Sequence, residues 1–250
     1  MSSFTDRVAL ITGSSRGIGA ATATLLADRG AKVVVNYHSN EAAARATATE
    51  IEENGGDALV VQADVRDEAA VGRLIETVTD EWGRIDVLVN NANMPFAKKS
   101  FADMAWEEFH QKLSDELEAA FRMTDAVLPL MVEQGYGRAV YVSSGLGDHP
   151  APGFIAHGAA KAALDTFVKY IAYEYGQAGI TANVVAPGLV ETDATADRVE
   201  EMREYISEQT PLGRVARPSD VARAIAAFAS DDAQFVTGTY TPVNGGKDME

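Results

Sequence analysis

The 250-residue chain contains no cysteine, which excludes disulfides, thiolate metal sites and thiol nucleophiles. Basic residues are scarce: 21 Lys and Arg against 37 Asp and Glu give a net charge of −16. That balance argues against a nucleic-acid backbone or an anionic membrane as partner. The one local pair of cations, "AKK" at 97–99, is too small to reverse it. No apolar run approaches the roughly 20 residues a membrane-spanning helix needs, and the opening "MSSFTDRVAL" lacks the apolar stretch of a signal peptide. A cytoplasmic protein with a small-molecule ligand and no metal centre is expected. Linkers, repeats and low-complexity tracts are also missing, and 46% hydrophobic residues suffice for one large core, so 1–250 reads as one domain.

What is present is alternation. Short Val/Ile/Leu-rich runs, "RVALIT", "AKVVVN", "DALVVQ", "IDVLVN", "RAVYVS", "ITANVVA" and "TYTPV", are the candidate strands. Between them, Ala-rich segments with charges at helical spacing predict helices over 16–28, 40–53, 67–82, 103–133, 154–177 and 218–229. Strands apolar at consecutive positions are buried on both faces, so the fold class is α/β, a parallel sheet with helices on each side. The acidic stretch at 191–210 breaks the alternation and is either a mobile substrate lid or a solvated helical insertion.

The first strand runs directly into "TGSSRGIG" (12–19) and then a helix. Glycines there allow close backbone approach to a pyrophosphate, and the helix N-terminus offers unpaired amides and the positive dipole end. Further on, "GFIAHGAAKAAL" (153–164) sets His157 one helical turn before Lys161, on the same helix face.

With "ADV" (63–65), "NNAN" (90–93), "YVSS" (141–144), "NVVAPGLVET" (183–192) and "VTGTYTPVNGG" (236–246), the chain resembles the classical short-chain dehydrogenases/reductases, of the β-ketoacyl-carrier-protein reductase type, from Arg7 to about Met249. The resemblance implies a Rossmann-type, doubly wound sheet of seven parallel strands. It also implies a nicotinamide cofactor held by Gly13, Ser15, Arg16, Gly17, Ile18 and Gly19 around the pyrophosphate. Asp64 and Val65 would meet the adenine, Asn90 and Ala92 the adenosine ribose while tying strands together, and Pro187, Gly188, Val190 and Thr192 the nicotinamide end. Asn93 stands where the family has glycine, a position an Asn fills by tolerating positive φ. At the end of the second strand, Asn36 and Ser39 occupy the place where an NAD enzyme sets a carboxylate on the ribose 2′-hydroxyl. No acid stands there and Arg16 is near in sequence, so NADP(H) is favoured over NAD(H); His38 either helps hold the 2′-phosphate or is a surface histidine.

The family's catalytic Lys and Ser match Lys161 and Ser144. Its catalytic Tyr is His157, and its Asn on the central helix aligns with Glu116. An imidazole titrating near neutrality would serve as general acid or base at cellular pH, Lys161 would favour its neutral form, and Glu116 would offset the lysine charge or join a proton relay. His149 is either a second proton donor or an exposed loop histidine. Met94, Phe96, His149 and Phe154 fall in the loops expected to line the substrate, which predicts a partly apolar carbonyl or alcohol. The altered site leaves three functions open: an NADP(H)-dependent oxidoreductase, a silent subunit stabilising an active homologue, or an isomerase or dehydratase on the same fold. Intact cofactor motifs favour the first. The resemblance implies a homo-oligomer, dimer or tetramer, built on the long helices at 103–133 and 154–177, with a hetero-oligomer as the alternative.

Overall fold

A computed structural model describes residues 4–249. Seven strands, β1 (Val8–Ile11), β2 (Lys32–Tyr37), β3 (Asp57–Gln62), β4 (Val87–Asn90), β5 (Gly137–Val142), β6 (Ile180–Pro187) and β7 (Tyr240–Val243), form one sheet in the order β3-β2-β1-β4-β5-β6-β7. Every pairing is parallel. Side chains alternate across it: Val8 and Leu10 enter one buried cluster, Ala9 and Ile11 the other. Burial on both sides is why these strands read as unbroken apolar runs.

Helices α1 (Gly17–Asp28), α2 (Glu41–Glu53) and α7 (Pro218–Ala229) cover one face through Leu26, Ile51 and Ile225. Helices α3 (Glu68–Trp82), α4 (Trp106–Gln134) and α5 (Ile155–Tyr175) cover the other through Leu74, Met123 and Leu164. Each such side chain, fully buried, contributes roughly 1.5–3 kcal/mol. The helix expected over 103–133 begins later, because Phe101–Asp103 closes a separate 3-10 turn first. The acidic stretch is helical: α6 (Ala196–Gln209) sits on Val199 and Ile206, which pack against Val215 in a small cluster of their own.

The chain runs outward from β1 to β3, then returns to place β4 on the other side of β1. The crevice beyond the carboxyl ends of β1 and β4 is where doubly wound sheets bind ligands.

Candidate active site

The glycine turn is held from below by side chains the sequence reading did not single out. Thr12 Oγ1 accepts from the backbone N–H of Asn91 (2.9 Å) and Ala92 (3.0 Å), and Asn91 Nδ2 donates to the carbonyls of Thr12 (2.8 Å) and Gly13 (3.1 Å). Asn91, rather than Asn90, thus ties β4 to β1. Ser14 Oγ donates to Ile11 O and accepts from Asn36 N. Asn36 does not face the ribose as expected: it is 2% exposed, its Oδ1 accepts from Gly13 N, and its Nδ2 donates to the carbonyls of Val61 and Ala63. An amide with both ends engaged inside the sheet braces the turn rather than facing the crevice.

Gly13 and Gly17 lie at φ +61° and +60°, and a Cβ on Gly17 would stand 3.3 Å from the Thr192 methyl, so the loop after β6 leans over the turn. At Gly19 a Cβ would meet Asn91 Nδ2 and Gly13 O at 2.6 Å. Arg16 takes the N-cap position of α1 without capping it, and the first helical turn carries no acid. The amides there remain free for an anion. Ser15 lends its carbonyl to Thr47 Oγ1, and Ile18 packs on the α1 side of the core. At the other rim, Pro187 ends β6, Gly188 N donates to Val243 O, and Val190 is buried and bridges to Ala216.

Beyond β2 and β3, His38 and Ser39 are exposed. Asp64 accepts from Arg66 through both oxygens and lies 3.6 Å from His38 Nε2. The Arg66 hydrogen bonds outweigh burial and hold the Asp64 carboxyl down at about 2. Val65, Asn90, Ala92 and Glu116 line one small cavity. Asn93 is not at positive φ; Asp6 is the only non-glycine there among the described residues. Its side chain serves a different purpose, accepting from Lys112 Nζ at 3.0 Å.

Lys112 is the largest omission of the sequence reading. It is 1% exposed, on the stripe of α4 that includes Glu116, Ala120, Met123 and Val127, and a lysine four residues before Glu116 on an apolar stripe was the available signal. Its ammonium donates to Glu116 Oε2 (2.5 Å), Met94 O (2.8 Å) and Asn93 Oδ1 (3.0 Å), which uses all three hydrogens. Across the same carboxylate, Glu116 Oε1 pairs with Lys161 Nζ at 2.6 Å, and Lys161 donates to Val142 O at 2.7 Å. Two contacts leave one Lys161 hydrogen unused. Burial alone would raise the Glu116 carboxyl, but the flanking ammonium groups win and lower it to about 2. Lys112 is shifted down by burial, against the pull of Glu116. Two buried amino groups thus share one carboxylate.

His157 is 7% exposed, stacks on Phe96 at 4.6 Å between ring centroids, and has a buried Nδ1 without a partner. Burial first, then the charges of Lys161 and Lys112, drive its pKa down to about 3 against the opposing Glu116. Burial and the neighbouring cations thus work against an imidazole titrating near neutrality and favour the neutral ring. Ser144 Oγ accepts from Leu146 N at 3.3 Å as a cap, which keeps its own hydrogen available.

Phe96 also meets Phe154 at 5.9 Å, making an aromatic wall that continues from the imidazole, and Met94 is buried. His149 is exposed on the loop, its backbone N–H bonded to Gly145 O.

Behind this site Asp165, 7% exposed, is pushed up to about 6 by burial, with Ser143 and Lys161 opposing and falling short. From an ordinary 3.8, the folded state holds the proton more tightly, so stability declines as pH rises from about 4 to about 6. Asp165→Asn is expected to stabilise the protein by about 1–3 kcal/mol at pH 8. Urea denaturation at pH 8 and pH 4 checks this, since the gain should vanish at the lower pH.

A glycine turn at the carboxyl end of a doubly wound sheet, on a chain that also carries a buried Lys161, a strand-end Ser144 and an imidazole stacked on Phe96, is the kind of arrangement found in nucleotide-dependent enzymes. The comparisons agree. A family model described as Enoyl-(Acyl carrier protein) reductase matches residues 13–248. The 3-oxoacyl-[acyl-carrier-protein] reductase of Synechocystis sp. is 41% identical, with 100% of both chains covered. That of Escherichia coli is 37% identical over 98% of this chain and 99% of its own. Among solved structures, levodione reductase superposes with a TM-score of 0.92 at 32% identity, covering 98% of each chain. A short-chain type dehydrogenase/reductase from Mycobacterium ulcerans reaches 0.93 at 29%, covering 98% of this chain and 90% of that one. The chain belongs to the classical short-chain dehydrogenases/reductases, in their ketoreductase-like branch. It is an oxidoreductase of carbonyl and alcohol groups. No helix among the described residues is long and apolar enough to cross a membrane.

Proposed function

We propose that the protein is an NADP(H)-dependent ketoreductase in which a neutral imidazole replaces a phenol. The observation that carries this reading is His157, buried and partnerless at Nδ1, beside two buried lysines that share the Glu116 carboxylate. A buried polar atom without a partner is rare in a finished structure and fits a site completed by a bound molecule.

The cradle at Gly17 and Thr192 fits a dinucleotide, because a side chain at Gly17 would fill it. Gly13 to Gly19 would hold the pyrophosphate, Arg16 with Ser39 a 2′-phosphate, Asp64 and Val65 the adenine, and Pro187 to Thr192 with Lys161 the nicotinamide end. When bound, the cofactor supplies or accepts the hydride. Ser144 and the imidazole N–H donate to the carbonyl oxygen, and a neutral imidazole polarises a carbonyl without surrendering its proton. The Lys112–Glu116–Lys161 array would stabilise the oxygen as it becomes negative, the unused Lys161 hydrogen is left for the nicotinamide ribose, and the alkoxide would take from solvent water the proton that completes the alcohol. Trp106, Phe121, Tyr170 and Tyr173 are exposed on α4 and α5, which supports a homo-oligomer built on those helices.

Fluorescence titration with NADPH and NADH tests the cofactor assignment. NADPH is expected to bind at least about tenfold more tightly, and Arg16→Ala to erase most of that margin while weakening NADH little. Failure of both to bind would overturn the enzyme reading in favour of a silent subunit.

A further inference from the structure

Two cations converge on the outer end of the aromatic wall. Lys98 Nζ, from the loop after β4, lies 5.6 Å from the Phe154 ring centroid, and the guanidinium carbon of Arg198, from α6, lies 4.6 Å from it. The loop is set there by a bridge between Lys99 and Phe154. The neighbouring cation is neutralised, since Lys99 Nζ donates to both oxygens of Glu108 at 2.6 and 2.8 Å. No carboxylate among the described residues comes within ion-pair distance of Lys98 or Arg198, although the chain has 37 acidic residues and a net charge of −16. A ring face attracts a cation. Two like charges brought to the same ring repel one another, and an anion between them relieves that repulsion.

We propose that Lys98 and Arg198 form an anion subsite, and that the substrate is a carbonyl compound or its alcohol bearing a carboxylate or phosphate. This rests on the oxidoreductase reading above. From Phe154 the wall steps 5.9 Å to Phe96 and then 4.6 Å to His157, so a short apolar or aromatic stretch separates the anion from the reacting carbon. Arg198 also makes α6 part of the site: an anion held there bridges the helix to the β4–α4 loop.

The test compares charged and neutral probes in pairs: benzoylpropionate with its methyl ester for a carboxylate, acetoacetyl-phosphopantetheine with acetoacetyl-pantetheine for a phosphate. In one pair, kcat/KM should favour the charged member, and Arg198→Ala should reduce that preference about tenfold. Lys98→Ala should reduce it further, and Arg198→Lys should restore part of it. The pair that responds identifies the source of the anion. Calorimetry on the NADP⁺-loaded protein runs alongside with the same probes. Charge-dependent binding without turnover keeps the subsite and removes the ketoreductase function. Turnover with a preference indifferent to both substitutions overturns the subsite alone, as does failure of every charged probe to bind better than its neutral partner.

Discussion

Glu116→Gln is expected to destabilise the protein by about 3–5 kcal/mol, because it leaves two ammonium groups without their shared counter-charge. The Lys112 and Lys161 side chains are 0% and 3% exposed, so water cannot take over the role of the carboxylate. That loss is comparable with the whole stability of a typical domain. The cause is separable from general disruption by a second substitution. Lys112→Met in the Glu116→Gln background removes one of the stranded charges and should recover a substantial part of the loss, a non-additivity expected only for groups that interact directly. Lys112→Met alone leaves a neutral Glu116–Lys161 pair but strands the Met94 carbonyl and Asn93 Oδ1, and is expected to cost about 1–3 kcal/mol. It should also raise the His157 pKa, since Lys112 is one of the charges that lowers it. Urea denaturation of the three variants and NMR titration of the imidazole read these outcomes.

His157→Phe should lower kcat by at least about 100-fold while NADPH affinity stays nearly unchanged. Phe retains the stack on Phe96 and removes the N–H that the proposed mechanism places on the carbonyl oxygen. Turnover that survives in the Phe variant would take His157 out of the mechanism. The wild-type pH profile carries a second test. With the imidazole neutral down to about 3, kcat should show no break at the ordinary histidine value of 6.5. A limb near that value would show that the imidazole exchanges its proton with solvent during the cycle. The same depression has a stability consequence whose sign is opposite to that of Asp165. Between pH 6.5 and about 3 the unfolded chain binds the proton and the folded protein does not, so stability falls as the solution is acidified through that window. His157→Phe should flatten this part of the curve.

The seven strands, the glycine turn and the placing of His157 and Lys161 one turn apart on a helix were legible because each is written in neighbouring residues: an apolar run one strand long, a turn of glycines, a spacing of four. Local propensity and periodicity depend on a few consecutive side chains, and β1 through β7 follow them closely. Asn36 was misplaced for the complementary reason. Its position at the end of β2 is local, but what its amide bonds to depends on Gly13 and β3 being brought beside it. Asn93 likewise answers to Lys112 rather than to its own turn. The protonation of His157 lies further from the sequence still, since a pKa is set by burial and by charges on other elements. Taken alone, "AKK" is a minor feature of an acidic chain; Arg198, remote in sequence, turns Lys98 into half of a pair. The sequence by itself determined the order of the elements, the family and the spacing of His157 and Lys161 on α5. Only the tertiary structure decided the charge state of the site and the company its cations keep, because desolvation and Coulomb interaction act through space between segments that packing alone brings together.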